Sequence, residues 1–280
     1  MSTATAPSTL YVVATPIGNL DDLTPRARLV LGEVDAILCE DTRQSGVLLR
    51  HAGLARPLLA VHEHNEGERA AALVQRLREG QRLALISDAG TPLISDPGYR
   101  LVAAVRAAGF AVSPIPGPCA LIAALSVAGL PTDRFSFEGF LPAKAGERRA
   151  RLQAIASDPR TLVWYEAPHR IVETLAATVE VLGGERRAVI GRELTKRFET
   201  VLDGSLAELL ARVQSDADQQ RGEIVLVVAG SPPLDDAARI DEGRRLYALL
   251  AAELPPSKAA RIAAAHTGAP KRALYGGGEG

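Results

Sequence analysis

Residues 83–108 read LALISDAGTPLISDPGYRLVAAVRAA. A short apolar run, Leu83–Ile86, gives way to the loop Ser87-Asp88-Ala89-Gly90-Thr91-Pro92-Leu93-Ile94-Ser95-Asp96-Pro97-Gly98. A helix-period stretch over Gly98–Ala108 follows. Strand, loop and helix in that order form the repeating unit of a parallel α/β sheet. The loop then falls at the carboxyl end of its strand, where open α/β sheets bind ligands. It packs two Gly, two Pro, two Asp and three hydroxyl side chains into twelve residues. A loop that only joins two elements rarely needs so many special residues. Backbone amides held open by Gly and Pro beside an Asp carboxylate suit a ligand bearing a ribose and an amino-acid group.

The same unit recurs on both sides. Leu10–Ala14, Ala36–Cys39, Leu58–His62 and Val112–Ile115 read as strands that bring the set to five. Helices are expected over Pro25–Val34, Gln44–His51 and Glu66–Glu79, the first with Thr24 as N-cap and Pro25 at its first position. The strands are almost wholly apolar rather than alternating, as when helices cover both faces of a mainly parallel sheet. The loop after the first strand is Ala14-Thr15-Pro16-Ile17-Gly18-Asn19-Leu20, and the one after the fifth is Pro114-Ile115-Pro116-Gly117-Pro118-Cys119-Ala120. Neither GxxxxGK[ST] nor a GxGxxG after the first strand is present, which removes the P-loop and the common dinucleotide loop. Three loops at one sheet edge are expected to converge on one cleft.

After residue 130 the rhythm changes. Phe135–Phe140, Thr161–Tyr165, Ala188–Gly191, Phe198–Leu202 and Ile224–Val228 read as strands with few long helices between them, and the third and fourth lie close enough for a hairpin. The expected organisation is an α/β domain over 1–130, a second α/β domain with a mixed sheet over 131–231, and a helix-turn-helix-like segment with a flexible tail over 232–280. In that last segment Ser257 is expected to cap a helix over Ser257–His266.

Composition narrows the functional classes. The 280 residues are 47% hydrophobic, 23% charged and 4% aromatic, which supports a packed core and excludes extensive disorder. Lys plus Arg total 32 against 33 Asp plus Glu, so overall charge points to neither nucleic acid nor membrane. The longest apolar stretch, Cys119–Leu130, is too short for the roughly 20 residues that span a bilayer. MSTATAPST carries no basic residue that a secretory signal would need, and Cys39 and Cys119 have no partners at metal spacing. A reducing cytoplasm is the expected compartment.

Local clusters tell more than the total. Cys39-Glu40-Asp41-Thr42-Arg43 ends the second strand, and Glu166-Ala167-Pro168-His169-Arg170 ends a strand of the second domain. Arg192-Glu193-Leu194-Thr195-Lys196-Arg197 reads as a charged hairpin loop or a site. His62-Glu63-His64-Asn65-Glu66 lacks an identifiable third metal ligand and reads as substrate-lining or solvated. Basic residues gather over 139–151, 186–197 and 255–275, the last with Lys258, Arg261, Lys271 and Arg272 and no acid. Such clusters suit phosphates, and solvated faces produce them too.

Taken together, ATPIGNLDDLTPRA, CEDTR, HEHNE, SDAGTPLISDPG, IPGPCAL, EGFLP, YEAPHR, GRELTKRFE, GEIVLVV and LAELPPSKAARIAAAHTG follow the order and spacing of one family. Over about residues 10 to 275 the chain resembles the ribosomal RNA small subunit methyltransferase I family, a branch of the tetrapyrrole (corrin/porphyrin) methylase superfamily. The resemblance implies a homodimer of two-domain α/β subunits that binds S-adenosylmethionine between domains. It also implies methyl transfer to the ribose 2′-oxygen of a decoding-centre cytidine in 16S rRNA of the small subunit.

By the same resemblance Thr15 and Pro16 would line the cofactor from the first loop. Ser87, Asp88, Ala89 and Gly90, with Ile94 and Ser95, would hold its ribose or methionine part. Cys119 and Ala120 stand where the superfamily often has a hydroxyl residue, and cysteine weakens a side-chain hydrogen bond there. Tyr165, Glu166 and Leu194 would close the pocket from the second domain. Glu40, Asp41, Glu193 and Lys196 are the candidate proton acceptors or orienters, and Arg43, Arg170 and Arg192 the candidate phosphate clamps. Lys258 and Arg261, with Lys271 and Arg272, are expected to dock rRNA. Two other readings stay open: a superfamily relative that methylates a corrin ring or a protein side chain, and a non-catalytic RNA-binding module.

Overall fold

The computed structural model describes residues 8–61, 66–232 and 236–275. The segment His62–Asn65, and with it most of the HEHNE motif, lies outside the described residues. The chain divides into two compact units, Met1–Gly230 and Ser231–Gly280.

The first unit holds two sheets. Strands β1 (Thr9–Val13), β2 (Ala36–Cys39), β3 (Leu58–Ala60), β4 (Leu83–Leu85) and β5 (Ala111–Ile115) form one sheet in the order β3-β2-β4-β1-β5. Every pairing in it is parallel. Between the strands run helices α1 (Pro25–Glu33), α2 (Thr42–His51), α3 (Glu66–Arg78) and α4 (Tyr99–Ala107). Thr24 caps α1 as expected, its side chain accepting from the Ala27 amide, with Pro25 in the first turn. The apolar strands are covered on both faces: Leu73, Leu77, Leu101 and Val105 pack against one side, and Ala27, Leu31 and Leu49 against the other. Because β4, β1 and β5 are parallel neighbours, the loops that leave their carboxyl ends lie side by side.

Helix α5 (Ala120–Val127) follows that sheet in sequence but packs on the next one. Its Leu121, Ala124 and Leu125 share a core with Val163, Val189, Val225 and Val227, and with Ile17 of the first loop. The second sheet comprises β6 (Phe135–Phe140), β7 (Thr161–Glu166), β8 (Arg187–Arg192), β9 (Thr200–Ser205) and β10 (Ile224–Val228), in the order β6-β7-β10-β8-β9. It is mixed: β6 and β7 are parallel and the remaining pairs antiparallel. Helices α6 (Ala145–Ile155), α7 (Ile171–Leu182) and α8 (Leu206–Ser215) pack on its other face around the fully buried Trp164, with Leu152, Leu175 and Leu209 in the same core.

The hairpin β8–β9 is present but shifted. Its second strand begins at Thr200, opposite Arg192, and ends at Ser205, not Leu202. Phe198 stays outside it, 64% exposed. Asp203-Gly204 has poor strand propensity, so only pairing with Ala188 and Val189 marks these residues as strand.

The second unit is three helices, α9 (Asp236–Ala251), α10 (Pro256–Thr267) and α11 (Lys271–Leu274), around Ala263, Ala269 and Leu274. Gly243 lets α9 approach closely, since a Cβ there would sit 2.5 Å from Leu274. Ser257 does not cap α10: the helix begins one residue earlier, with Pro255 at the N-cap and no side-chain cap. Pro256 in the first turn starts the helix instead, its ring fixing a helical φ and its nitrogen carrying no amide proton that needs a cap.

Candidate active site

The loops after β4, β1 and β5 are tied into one edge. Thr15 and Gly90 exchange backbone hydrogen bonds of 2.8 and 3.1 Å, and the buried Thr15 hydroxyl donates to the Ser87 carbonyl. Ser87 donates in turn to the Ala89 and Gly90 carbonyls, and Thr91 to the Pro118 carbonyl at 3.0 Å. Gly90 has φ +82°, and a Cβ there would meet Ile17 at 3.2 Å. The turn therefore needs glycine both for its backbone and for the close approach. Thr15 and Ser87 thus build the turn with their side chains.

A cavity of about 390 Å³ opens beside this edge, within the usual range for small-molecule sites. Asp88, Ala89, Gly90, Ile94 and Ser95 line it from the β4 loop, and Cys119 and Ala120 from the start of α5. Tyr165 and Glu166 close it from the second sheet. Thr15 and Pro16 line instead a neighbouring cavity of about 310 Å³, where Lys196 also lies. Leu194 sits in the core between α5 and the second sheet, against Gly191.

The larger cavity has apolar walls, from Ile17, Ile94, Ala120 and Phe140, and charged residues of one sign. Asp88, Asp96, Glu166 and Glu223 line it, and among the described residues no Lys, Arg or His does. Asp96, part of the loop marked in the sequence but not among the expected cofactor residues, has its carboxyl raised from 3.8 to about 6. Burial is the main cause, the Ser87 hydroxyl opposes it, and the charges of Glu40 and Asp88 add to it. Burial also raises the Tyr165 phenol, with Cys119 adding, so the phenol stays neutral and its oxygen accepts from the Leu121 amide at 3.2 Å. Phe137 and Phe140 pack edge-on against the same ring.

The acids and bases expected to act separate into different places. The Asp41 carboxylate caps α2 by accepting from the Arg43 amide at 2.7 Å, while the Asp41 amide donates to Asp88 Oδ1 at 3.0 Å. Glu40 lies outside the walls of both cavities, its carboxyl raised by partial burial and by the charges of Asp88 and Asp41. Lys196 Nζ stands 2.8 Å from Glu193 Oε1 and 3.2 Å from Glu223 Oε2. Burial works against the charge on Lys196, yet these carboxylates raise it overall, so the amine remains an ammonium that orients rather than accepts a proton. Burial likewise works against Glu193, but Lys196 and the Glu223 amide hold it below the ordinary carboxylate range. The Lys196 stem lies across Gly18, where a Cβ would come within 2.4 Å of Cγ.

The three arginines differ as sharply. Arg43 is 93% exposed. Arg170 donates to the Leu141 and Pro142 carbonyls, with Nε 3.2 Å from Glu166. Arg192 is buried and donates to Gln219, Thr200 and the Phe198 carbonyl, which closes the hairpin rather than facing a phosphate. The Glu166 carboxylate is also turned inward, accepting from Thr174 at 2.5 Å and from the Ala167 amide at 2.8 Å. Lys258, Arg261, Lys271 and Arg272 are exposed on the three-helix unit.

Glu223 was not singled out from the sequence, yet it lines both cavities. Its motif, GEIVLVV, reads as a strand start. Antiparallel pairing of β10 with β7 places Ile224 opposite Glu166, so the beginning of one strand meets the carboxyl end of the other. Among the described residues no helix is long and apolar enough to cross a membrane, and no cluster of three metal-ligating side chains occurs.

Comparison with known proteins fits this geometry. Residues 9–210 match the family Tetrapyrrole (Corrin/Porphyrin) Methylases, and residues 237–276 match the RsmI C-terminal HTH domain. Ribosomal RNA small subunit methyltransferase I of Xylella fastidiosa is 59% identical over 271 residues, covering 97% of this chain and 99% of its own. The proteins of that name from Pseudomonas aeruginosa and Escherichia coli O157:H7 are 58% and 53% identical, over 95% of this chain and 95% and 93% of theirs. Uroporphyrin-III-C-methyltransferase from Thermus thermophilus shares the fold at a TM-score of 0.56 and 23% identity, over 79% of this chain and 94% of its own. Its complex with S-adenyl homocysteine superposes at 0.54 and 20% identity, over 79% and 97% of the two chains. Diphthine synthase does so at 0.58 and 15%, over 79% and 89%. The identity over nearly the whole length of the three relatives, and the match of both parts of the chain, place it in the ribosomal RNA small subunit methyltransferase I family of the tetrapyrrole methylases.

Proposed function

We propose that this chain transfers a methyl group from S-adenosylmethionine to the ribose 2′-oxygen of a decoding-centre cytidine in 16S rRNA. The observation that carries this reading is a pair of contiguous cavities at the carboxyl edge of the parallel sheet, sharing Ile17, Asp88, Ala89 and Glu223. One suits the donor and the other the acceptor.

The larger cavity fits the donor by its chemistry. Its acidic lining suits a ligand with positive charge, its apolar walls suit a purine face, and the glycine turn at Gly90 brings backbone polar groups to the surface. When bound, S-adenosylmethionine supplies a methyl group on a positively charged sulfur. Asp88 and Asp96 would hold the charged part, and Ile17, Ile94 and Ala120 the apolar part.

The protein's share of the reaction is alignment and removal of one proton. The ribose oxygen would take the methyl carbon as that carbon's bond to sulfur breaks and leaves a neutral thioether, and the hydroxyl proton would pass to a carboxylate. Glu223 is that acceptor in our reading, because it fronts both cavities and is 69% exposed on its side chain. A positioned base contributes about 10² to 10⁴-fold, and alignment can contribute more. Lys196, paired with Glu193 and Glu223, ties Glu223 to the loop after β8. The exposed, acid-free face of residues 255–275 docks the rRNA through Lys258, Arg261, Lys271 and Arg272. The working unit is a homodimer in the cytoplasm, a reading supported by the exposed apolar side chains Ile122, Val127 and Phe135.

Transfer of labelled methyl from S-adenosylmethionine to small subunits that lack the modification tests this reading, with the product digested and mapped by mass spectrometry. A ribose-methylated cytidine at the decoding centre is the expected result. Label on no RNA, with the donor bound, overturns the substrate assignment and leaves the cavity.

A further inference from the structure

The smaller cavity is walled by helix α2 as well as by the first loop. Its wall away from the donor is Leu20, Val47 and Leu48, with the Gln44 side chain as the polar group among them. Val47 is half-exposed on a helix whose Leu48 and Leu49 are buried. Gln44 is exposed, and its amide makes no hydrogen bond among the described residues. The helix that carries both is anchored to the donor loop, since Asp41 caps α2 and its amide bonds the Asp88 carboxylate.

We propose that this cavity holds the nucleoside to be methylated, with its base against Leu20 and Val47 and its polar edge hydrogen-bonded to the Gln44 amide. The inference rests on the function proposed above and names the residue that contacts the base. The acceptor oxygen must come within about 3–3.5 Å of the transferred carbon, so the acceptor has to occupy space contiguous with the donor cavity. An apolar wall with one planar amide matches a base, which offers a π face and a polar edge. It does not match a substrate with many carboxylates: Lys196 is the cation in this wall, and both of its neighbours are carboxylates already paired with it.

The test uses the full-length protein and its variants Gln44→Ala and Val47→Phe, both at exposed helix positions where folding is retained. Methyl transfer to small subunits lacking the modification is measured alongside donor affinity by calorimetry. The expected result is a loss of about 10–100-fold in kcat/KM for the subunit in each variant, with donor affinity within about twofold of the parent. Subunits with uridine at the target position should show a narrower cytidine preference with Gln44→Ala than with the parent. Unchanged kcat/KM in both variants, from a parent that does transfer methyl, overturns this inference alone. Equal loss of donor affinity in both variants also overturns it, because the residues would then shape the donor cavity. A parent that methylates no RNA overturns the functional reading and this one with it.

Discussion

Replacing Asp96 by Asn should stabilise the protein at neutral pH while weakening its donor site. Asp96 lines the larger cavity, proposed above to take the donor, with its carboxyl raised from 3.8 to about 6, chiefly by burial. A shift of that size corresponds to about 3 kcal/mol in a site closed to water. Asp96 is half-buried, and solvent screening reduces this to about 1–2 kcal/mol. The folded chain holds the Asp96 proton more tightly than the unfolded chain does. Its contribution therefore favours the fold below about pH 4 and is lost as pH rises through about 6. Asn keeps an acceptor for the Ser87 hydroxyl but has no charge to bury. Urea unfolding of parent and variant at pH 4, 6 and 8 should show a gain of about 1–2 kcal/mol at pH 8 that shrinks towards pH 4. Donor binding should move the other way: the parent loses affinity for S-adenosylmethionine below pH 6, while the variant is weaker at pH 8 and flat across the range. A gain that is the same at all three pH values, or a less stable variant at pH 8, refutes the reasoning.

Other perturbations follow from the same geometry. Glu223→Gln should lower kcat by about 10² to 10⁴-fold with donor affinity unchanged in calorimetry; an unchanged kcat removes Glu223 as the proton acceptor. Gly90→Ala places a Cβ 3.2 Å from Ile17 at φ +82°, costing about 1–2 kcal/mol of backbone strain, and should weaken donor binding at least tenfold. Glu166→Ala strips the buried carboxylate from Thr174 and Arg170 and should cost about 3–5 kcal/mol in chemical denaturation; a cost under about 1 kcal/mol means the pair is not stabilising as argued. Reversing Lys258 and Arg261 to Glu should weaken association with the small subunit and reduce the salt slope by about one per lost phosphate contact, leaving donor affinity intact.

The loops were legible because their residues are unusual for their position. Gly90, Pro92 and Asp96 after an apolar run mark a strand-end site before any coordinate is known, and the parallel order β4-β1-β5 brings that loop beside Thr15 and Cys119. The second sheet was less transparent, since its contribution to the site depends on pairing direction. A search confined to carboxyl ends of strands finds Glu166, whose side chain turns inward, and misses Glu223, which begins an antiparallel strand. Arg192 illustrates a related limit. An arginine at a strand end reads as a phosphate ligand until the hairpin closes over it and Thr200, Gln219 and the Phe198 carbonyl take up its donors. Helix α5 shows a third. A helix that is apolar but for Ser126, after the fifth strand, gives no sign of which of its two neighbouring sheets it will cover.

Where the backbone is strained bears on which loops act. The left-handed turns at Gly53, Gly80, Gly109 and Gly183 are filled by the one residue that adopts them without steric cost. Among the described residues only Leu93, Ser95, Glu193 and Thr195 are non-glycine residues with positive φ, and all four lie in the loops after β4 and β8. Each such residue costs about 1–2 kcal/mol relative to a relaxed backbone, a cost that glycine would remove. Glycine would also remove the side chain, and at three of the four positions that side chain makes a contact. Ser95 lines the larger cavity, Leu93 packs on a core of the first sheet, and Glu193 holds Lys196 and the Glu223 amide. A Cβ at Gly222 would strike the Glu193 carboxyl at 2.4 Å, so the neighbouring chain has given up its own side chain to let that contact form. Among the described residues, positive φ at non-glycine positions is thus confined to two loops from different sheets, one lining the larger cavity through Ser95 and the other carrying Lys196 into the smaller, the distribution expected where strain serves to preorganise a site rather than to stabilise the fold.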